Sequence, residues 1–229
     1  MDFPLQNSLV QAFKEKDDKY SSRGFIKLYE ALANDFNYAS PENIMVFGDN
    51  HDMDRIYTQL DKNLAFTKMA FTFFMTTRGI PEVYYGTEIL MDNTGFPGNH
   101  GVIRSDFPGG WKSDSQDAVT GRGLSQDQLE MKDYVKQLLN WRKGNHVISS
   151  GKLLHFAPFD GLYVYFRYTD DDIIMVVMNK NNKEMKIDVS RFNEIIKNRT
   201  SATNVMTKAS ISLDQLSVPS ESATIFSLR

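Results

Sequence analysis

Two regimes of hydrophobic spacing divide the chain. Through roughly the first two-thirds, apolar positions recur every three or four residues, broken by short continuous apolar runs. Leu9, Ala12 and Phe13 fall on one side of a helix predicted over residues 8–16, and Ile26, Leu28, Tyr29, Leu32 and Ala33 on one side of a second over 24–36. Residues 42–47, containing Asn43-Ile44-Met45-Val46-Phe47, predict a short buried strand. Residues 60–77 are apolar almost all round, which predicts a helix covered on more than one side, with Gly79 at its end. Ile80-Pro81-Glu82-Val83-Tyr84-Tyr85-Gly86 reads as a second strand, with Pro81 near its start where a missing N–H is tolerated. A loop rich in Gly, Pro, Asp and Asn covers residues 87–123. Loops of that length are functional or disordered more often than not. Ser125 and Gln128 form a capping box for a helix that runs to Lys143-Gly144-Asn145.

The spacing then changes. Residues 162–168 and 173–179 are strands around a turn at Thr169-Asp170-Asp171-Asp172, and residues 185–189, 210–213 and 223–228 continue the pattern, with one short helix near 191–197. This predicts an antiparallel β-sandwich over residues 147–229, preceded by a helix–strand–helix–strand–helix unit over 1–146 with parallel strands. Two strands and three helices cannot shield both edges of a sheet. Self-association through that open edge, or through exposed helix faces, is therefore expected.

Composition narrows the function classes. At 229 residues with 41% hydrophobic content, the chain can build one large domain or two modest ones. A net charge of −3 without any dense Lys/Arg run gives no nucleic-acid partner. With no cysteine there is no disulfide and no thiolate chemistry. The most apolar stretch, 65–75, is broken by Thr67, Lys68 and Thr72 and is too short to span a membrane. No signal peptide is visible at the N-terminus, and cytoplasm and periplasm fit equally. The four histidines lack zinc spacing, and Asp92, Asn93 and Asn99 do not have the spacing of an EF-hand loop. No metal and no cofactor are expected.

The chemistry concentrates at Phe47-Gly48-Asp49-Asn50-His51-Asp52, followed by Asp54-Arg55. An apolar strand has no packing reason to finish in Asp-Asn-His-Asp, whereas an active-site strand end does. Asp49 and Asn50 read as turn formers. Asp52 could instead cap the next helix, and His51 could be satisfied by backbone. Arg55 stands either at a cleft rim or paired with Asp52 or Asp54.

These residues resemble the α-amylase-type glycoside hydrolases (family 13), nearest the neopullulanase and cyclomaltodextrinase branch. Residues 47–52 are similar to that family's seventh-strand motif, Phe-x-x-Asn-His-Asp. Residues 79–88 are similar to its eighth-strand motif, Gly-Ile-Pro-x-x-Tyr-Tyr-Gly-x-Glu. Asp2-Phe3-Pro4-Leu5 resembles the end of the sixth strand, and Arg104-Ser105-Asp106-Phe107-Pro108-Gly109-Gly110-Trp111 the loop after the eighth. The resemblance covers essentially the whole chain. It implies the C-terminal part of a (β/α)8 barrel, from the end of strand six through helix eight, followed by a small antiparallel β-sandwich. It also implies an α-glucan oligosaccharide as ligand. Asp52 would be the carboxylate that favours the oxocarbenium-like state, with His51, Arg55, Tyr85, Glu88 and Arg104 as substrate contacts. Calcium occurs in the family but is not implied by these residues. Retaining hydrolysis also needs a nucleophile and an acid/base, set about 5–5.5 Å apart. The Gly-Phe-Arg-x-Asp setting of the family's nucleophile is absent here, and so is the acid/base motif. The expectation is therefore a portion of an α-1,4 (or α-1,6) glucan hydrolase that is inactive alone. The alternative is a non-catalytic glycan-binding or remnant module.

Overall fold

The computed structural model describes residues 1–18 and 21–229. Along the first part run α1 (Phe3–Lys14), α2 (Phe25–Ala33), β1 (Met45–Phe47), α3 (Ile56–Gln59), α4 (Leu64–Thr76), β2 (Ile80–Glu82), α5 (His100–Ile103), α6 (Gln126–Lys143) and α7 (His146–Ser150). Then follow β3 (Lys152–His155), β4 (Leu162–Tyr168), β5 (Ile173–Asn179), β6 (Met185–Lys186), α8 (Asn193–Ile196), β7 (Ser201–Asn204), β8 (Ser210–Ser212), β9 (Ser217–Val218) and β10 (Ser222–Leu228).

β1 and β2 pair in parallel, with Met45 opposite Ile80 and Phe47 opposite Glu82. Gly79 makes this pairing possible. Its φ is +96°, and a Cβ there would lie 2.5 Å from the Ile44 carbonyl that the Ile80 N–H must reach. The N-terminus departs from expectation. Residues 2–5 are not a strand end: Asp2 caps α1 by accepting from the Leu5 N–H, and Pro4 sits in the first turn, where its missing N–H costs nothing. The helix therefore begins five residues earlier than its apolar spacing suggests. The Asp2 N–H donates to the Met45 carbonyl at 2.8 Å, and Phe3 packs edge-on against Phe47, so α1 lies against β1 from that side.

α4 is covered by α1, α3, α6 and β10. That accounts for its nearly uniform apolar surface. Its buried threonines stay paired: the Thr76 hydroxyl donates to the Thr72 carbonyl and lies 2.6 Å from the Tyr165 hydroxyl.

The six-stranded antiparallel sheet has the order β3-β4-β5-β10-β7-β8. Both of its faces are buried. Tyr163, Tyr165, Val176 and Ile225 share a core with α1, α2 and α4, while Val164, Phe166, Met175 and Phe226 pack under Phe192, Ile195, Leu216 and Val218. The latter come from α8, its preceding turn, and the β6–β9 ribbon. Double burial is why β4 and β5 read as continuous apolar runs rather than alternating ones. The architecture is a two-strand parallel barrel remnant joined to an all-β layer. Arg167 of β4 ties the two parts together. Its guanidinium donates to the Thr76 and Thr77 carbonyls at the end of α4 and to the Gly151 carbonyl at 2.7 Å.

Candidate functional site

The site is built where β1 and β2 end. Asp49 is fully buried, and its two oxygens accept from the Ile56 N–H at 2.9 Å and the Thr87 hydroxyl at 2.8 Å. It thereby staples the start of α3 to the turn after β2. Burial pushes its carboxyl up to about 6, opposed by those two hydrogen bonds and nearby Arg55, and reinforced by Glu88. Asn50 accepts from the Asp52 N–H at 2.8 Å, closing a turn of the Asx type. Both residues shape the turn, and it projects His51 and Asp52 into solvent with Nε2 and Oδ2 3.3 Å apart. Asp52 caps no helix: the first N–H of α3 belongs to Asp49.

The long loop supplies the other side. Asn99 accepts from the Gly101 and Val102 N–H groups and so starts α5. His100 and Arg104, four residues apart, then share a face of that turn. Arg104 Nη2 lies 2.8 Å from Asp52 Oδ1, and its Nε donates to the His51 carbonyl at 2.9 Å. His100 Nδ1 is 3.1 Å from Arg104 Nη2. Tyr85 donates its hydroxyl proton to the Ser105 carbonyl at 3.0 Å, and Tyr84 sets its ring 6.4 Å from that of His51. Burial pushes the Tyr84 phenol up to about 12, keeping it protonated.

Arg55 is the clearest departure from the sequence reading. It is not at the rim and pairs with neither Asp52 nor Asp54. Its exposure is 1%, its Nε and Nη2 donate to the Ile103 carbonyl, and its Nη1 donates to the Tyr85 carbonyl. The guanidinium carbon lies 4.1 Å above the Tyr84 ring. Strand-end aromatics and loop carbonyls together make a buried cation socket, so Arg55 braces the site from below. Glu88 is likewise set back, half-buried, with Oε2 enclosed and without a partner among the described residues. The long loop is not structureless. Asn93 accepts from the Arg55 N–H and donates to Asp54 and the Phe96 carbonyl, while Asp54 also accepts from Gly98 N–H. Asn93 and Asn99 thus spend their side chains on loop structure.

His51, Asp52, Tyr85 and Arg104 are brought together at the surface, and Arg55 and Glu88 are not. The structure adds His100. Its signal was the His-x-x-x-Arg spacing directly after a capping asparagine. An exposed carboxylate flanked by an imidazole and a guanidinium offers acceptors and donors at close spacing, the pattern that grips vicinal hydroxyls.

Polar side chains gathered at the carboxyl ends of adjacent parallel strands mark the site face of an α/β barrel. Residues 1–152 match the family model described as the α-amylase catalytic domain, and residues 153–227 that of the cyclo-malto-dextrinase C-terminal domain. The chain belongs to the α-amylase family of glycoside hydrolases, on its cyclomaltodextrinase-like branch. Among curated relatives, the cyclomaltodextrin glucanotransferase of Thermoanaerobacterium thermosulfurigenes is 27% identical over 79% of this chain and 22% of its own length. The α-amylase of Niallia circulans is 28% identical over 79% of this chain and 30% of its own. The fold is shared with the acarbose-bound α-amylase of Geobacillus thermoleovorans, at a TM-score of 0.75 and 21% identity over 100% of this chain and 47% of that one. The chain therefore spans less than half the length of these relatives and of that structure.

Proposed function

We propose that these residues form the seventh- and eighth-strand corner of an α-glucan glycosidase site, with 1–146 as the barrel part and 147–229 as the β-sandwich part. Asp52 is the carboxylate that holds the sugar hydroxyls and favours the oxocarbenium-like state. His51 and Arg104 orient it and share the hydroxyls, and Tyr85 lines the same rim. The observation that carries this reading is the convergence of Arg104 and His51 on Asp52 at the strand ends. Each partner is exposed, so the ion pair contributes about 1 kcal/mol or less and opens readily to a ligand.

Retaining chemistry requires two further carboxyl groups, and the family's motifs for both are absent from these 229 residues. By themselves, then, these residues bind glucan and do not cleave it. Calorimetric titration with maltoheptaose tests the binding. Wild type should bind, and Asp52→Asn should weaken binding by roughly tenfold, the loss of one charge-assisted hydrogen bond. No binding by the wild type would end the reading. Release of reducing sugar by this chain alone would end the claim of inactivity.

The same residues also fit a glycan-binding module. Joining the chain in frame to a segment carrying Gly-Phe-Arg-x-Asp and an acid/base glutamate separates the two. Hydrolysis lost on Asp52→Asn favours the enzyme, and unchanged binding without hydrolysis favours the module.

The two-stranded sheet leaves apolar side chains in solvent, with the register partners Ile80 and Met45 54% and 38% exposed, and Phe3, on Phe47, 47% exposed. This supports self-association through that sheet.

A further inference from the structure

The loop that carries Arg104 continues into Asp106-Phe107-Pro108-Gly109-Gly110-Trp111, and Trp111 is 65% exposed. A scattered surface aromatic needs no explanation, but this one is held in place. Its indole Nε1 donates to Asp106 Oδ2 at 2.9 Å. Its backbone N–H and that of Gly109 both donate to Asp114 Oδ2, at 3.0 and 2.8 Å. The Asp114 N–H closes the turn onto the Trp111 carbonyl. Gly109 has φ +102°, and a Cβ there would sit 2.8 Å from the Asp117 carboxylate, so the loop is folded tightly on itself. One carboxylate thus holds the solvent-facing indole, and a second holds the backbone that carries it.

Position gives the indole a use. Asp106 is two residues from Arg104, and the intervening Ser105 carbonyl accepts from Tyr85. Two Cα steps span at most about 7 Å. The residue that anchors the indole thus sits next to the Arg104 that meets Asp52, on the same loop. A ring with its polar edge already occupied presents an apolar face, and the C–H face of a pyranose is its complement.

We propose that Trp111 is a stacking platform for a sugar ring of an α-glucan chain, one or more residues away from the ring held at Asp52. It makes the site prefer longer chains. Asp106 is the positioning residue that fixes the indole. This rests on the α-glucan reading of Asp52.

Fluorescence tests it directly, because the chain has only two tryptophans and the second, Trp141, is half-buried against the core. In a Trp141→Phe background, maltoheptaose should change the emission of Trp111, and maltose should do so weakly or not at all. By calorimetry, Trp111→Ala should lose about tenfold in maltoheptaose affinity and little for maltose. Trp111→Phe should recover part of the loss. Asp106→Asn should fall between wild type and Trp111→Ala. Far-UV circular dichroism checks that each variant is folded.

If Trp111→Ala binds both sugars as wild type while Asp52→Asn weakens both, the platform is wrong and the site reading stands. If maltoheptaose binds without changing Trp111 emission, the platform is also wrong. If the wild type binds neither sugar, both fall.

Discussion

At the scale of single residues, position relative to water decides role. Asp49 and Asp52 lie three apart in the sequence and have the same side chain. One is enclosed and the other exposed, so one staples the turn and the other is free to meet a ligand. Asp49 carries a pH signature. Burial favours its neutral form and pushes the folded carboxyl up to about 6, from the ordinary aspartate value of about 3.9. Above pH 6 the folded state must hold that charge in a dry site. Stability from this group is therefore fully present below the unfolded value and is lost as pH rises through about 6, on the order of 2–3 kcal/mol. Asp49→Asn keeps an acceptor for the Ile56 N–H and offers a donor to Thr87. Its urea midpoint should stay level from about pH 4 to 7, while the wild type falls relative to it. Parallel curves would refute the assignment. The sequence marked both aspartates as unusual at a strand end. It read Asp49 as a turn former, but not its burial, because that depends on Thr87, 38 residues away.

At the scale of elements, capping sets boundaries and side chains from distant strands finish them. The Ser125–Gln128 box was legible because it is local and reciprocal, and it forms as read. Asn63 caps α4 by accepting from the Phe66 N–H. Asn63→Ala should cost about 1 kcal/mol in chemical denaturation, with the secondary structure otherwise intact. The other end of α4, at Thr76 just before Gly79, was legible, but the group that meets its last carbonyls was not, because that is Arg167 from β4, 90 residues on from Thr77. Burial lowers the Arg167 guanidinium to about 10, yet it stays charged at neutral pH. Arg167→Met should cost about 2–4 kcal/mol, because it strands the Thr76, Thr77 and Gly151 carbonyls in a buried joint. A loss below about 0.5 kcal/mol would mean that water replaces the guanidinium.

At the scale of the whole molecule, the sheet and the helices share one core, and Phe73 of α4 meets Tyr165 of β4 edge-on at 5.8 Å. Phe73→Ala should therefore destabilise by about 3–5 kcal/mol, with helices and sheet melting in one transition. Two separate transitions would show that the parts fold independently. The open edge gives a second expectation. Sedimentation velocity should show concentration-dependent association, and Met45→Lys with Ile80→Lys should reduce it. A wild-type monomer at every concentration tested would count against it. The sequence by itself did not show the short elements α5, β3 and β7. It determined the long helices and strands, the parallel and antiparallel halves and the strand-end cluster of His51 and Asp52. Each of these follows from the spacing of apolar positions or from contiguous motifs. Only the tertiary structure decided which polar residues meet. It sank Arg55 beneath Tyr84, folded residues 2–5 into a helix against β1, and carried Arg104 across 52 residues of chain to Asp52. Those outcomes depend on loop paths and on competition for buried carbonyls, neither of which is encoded by periodicity.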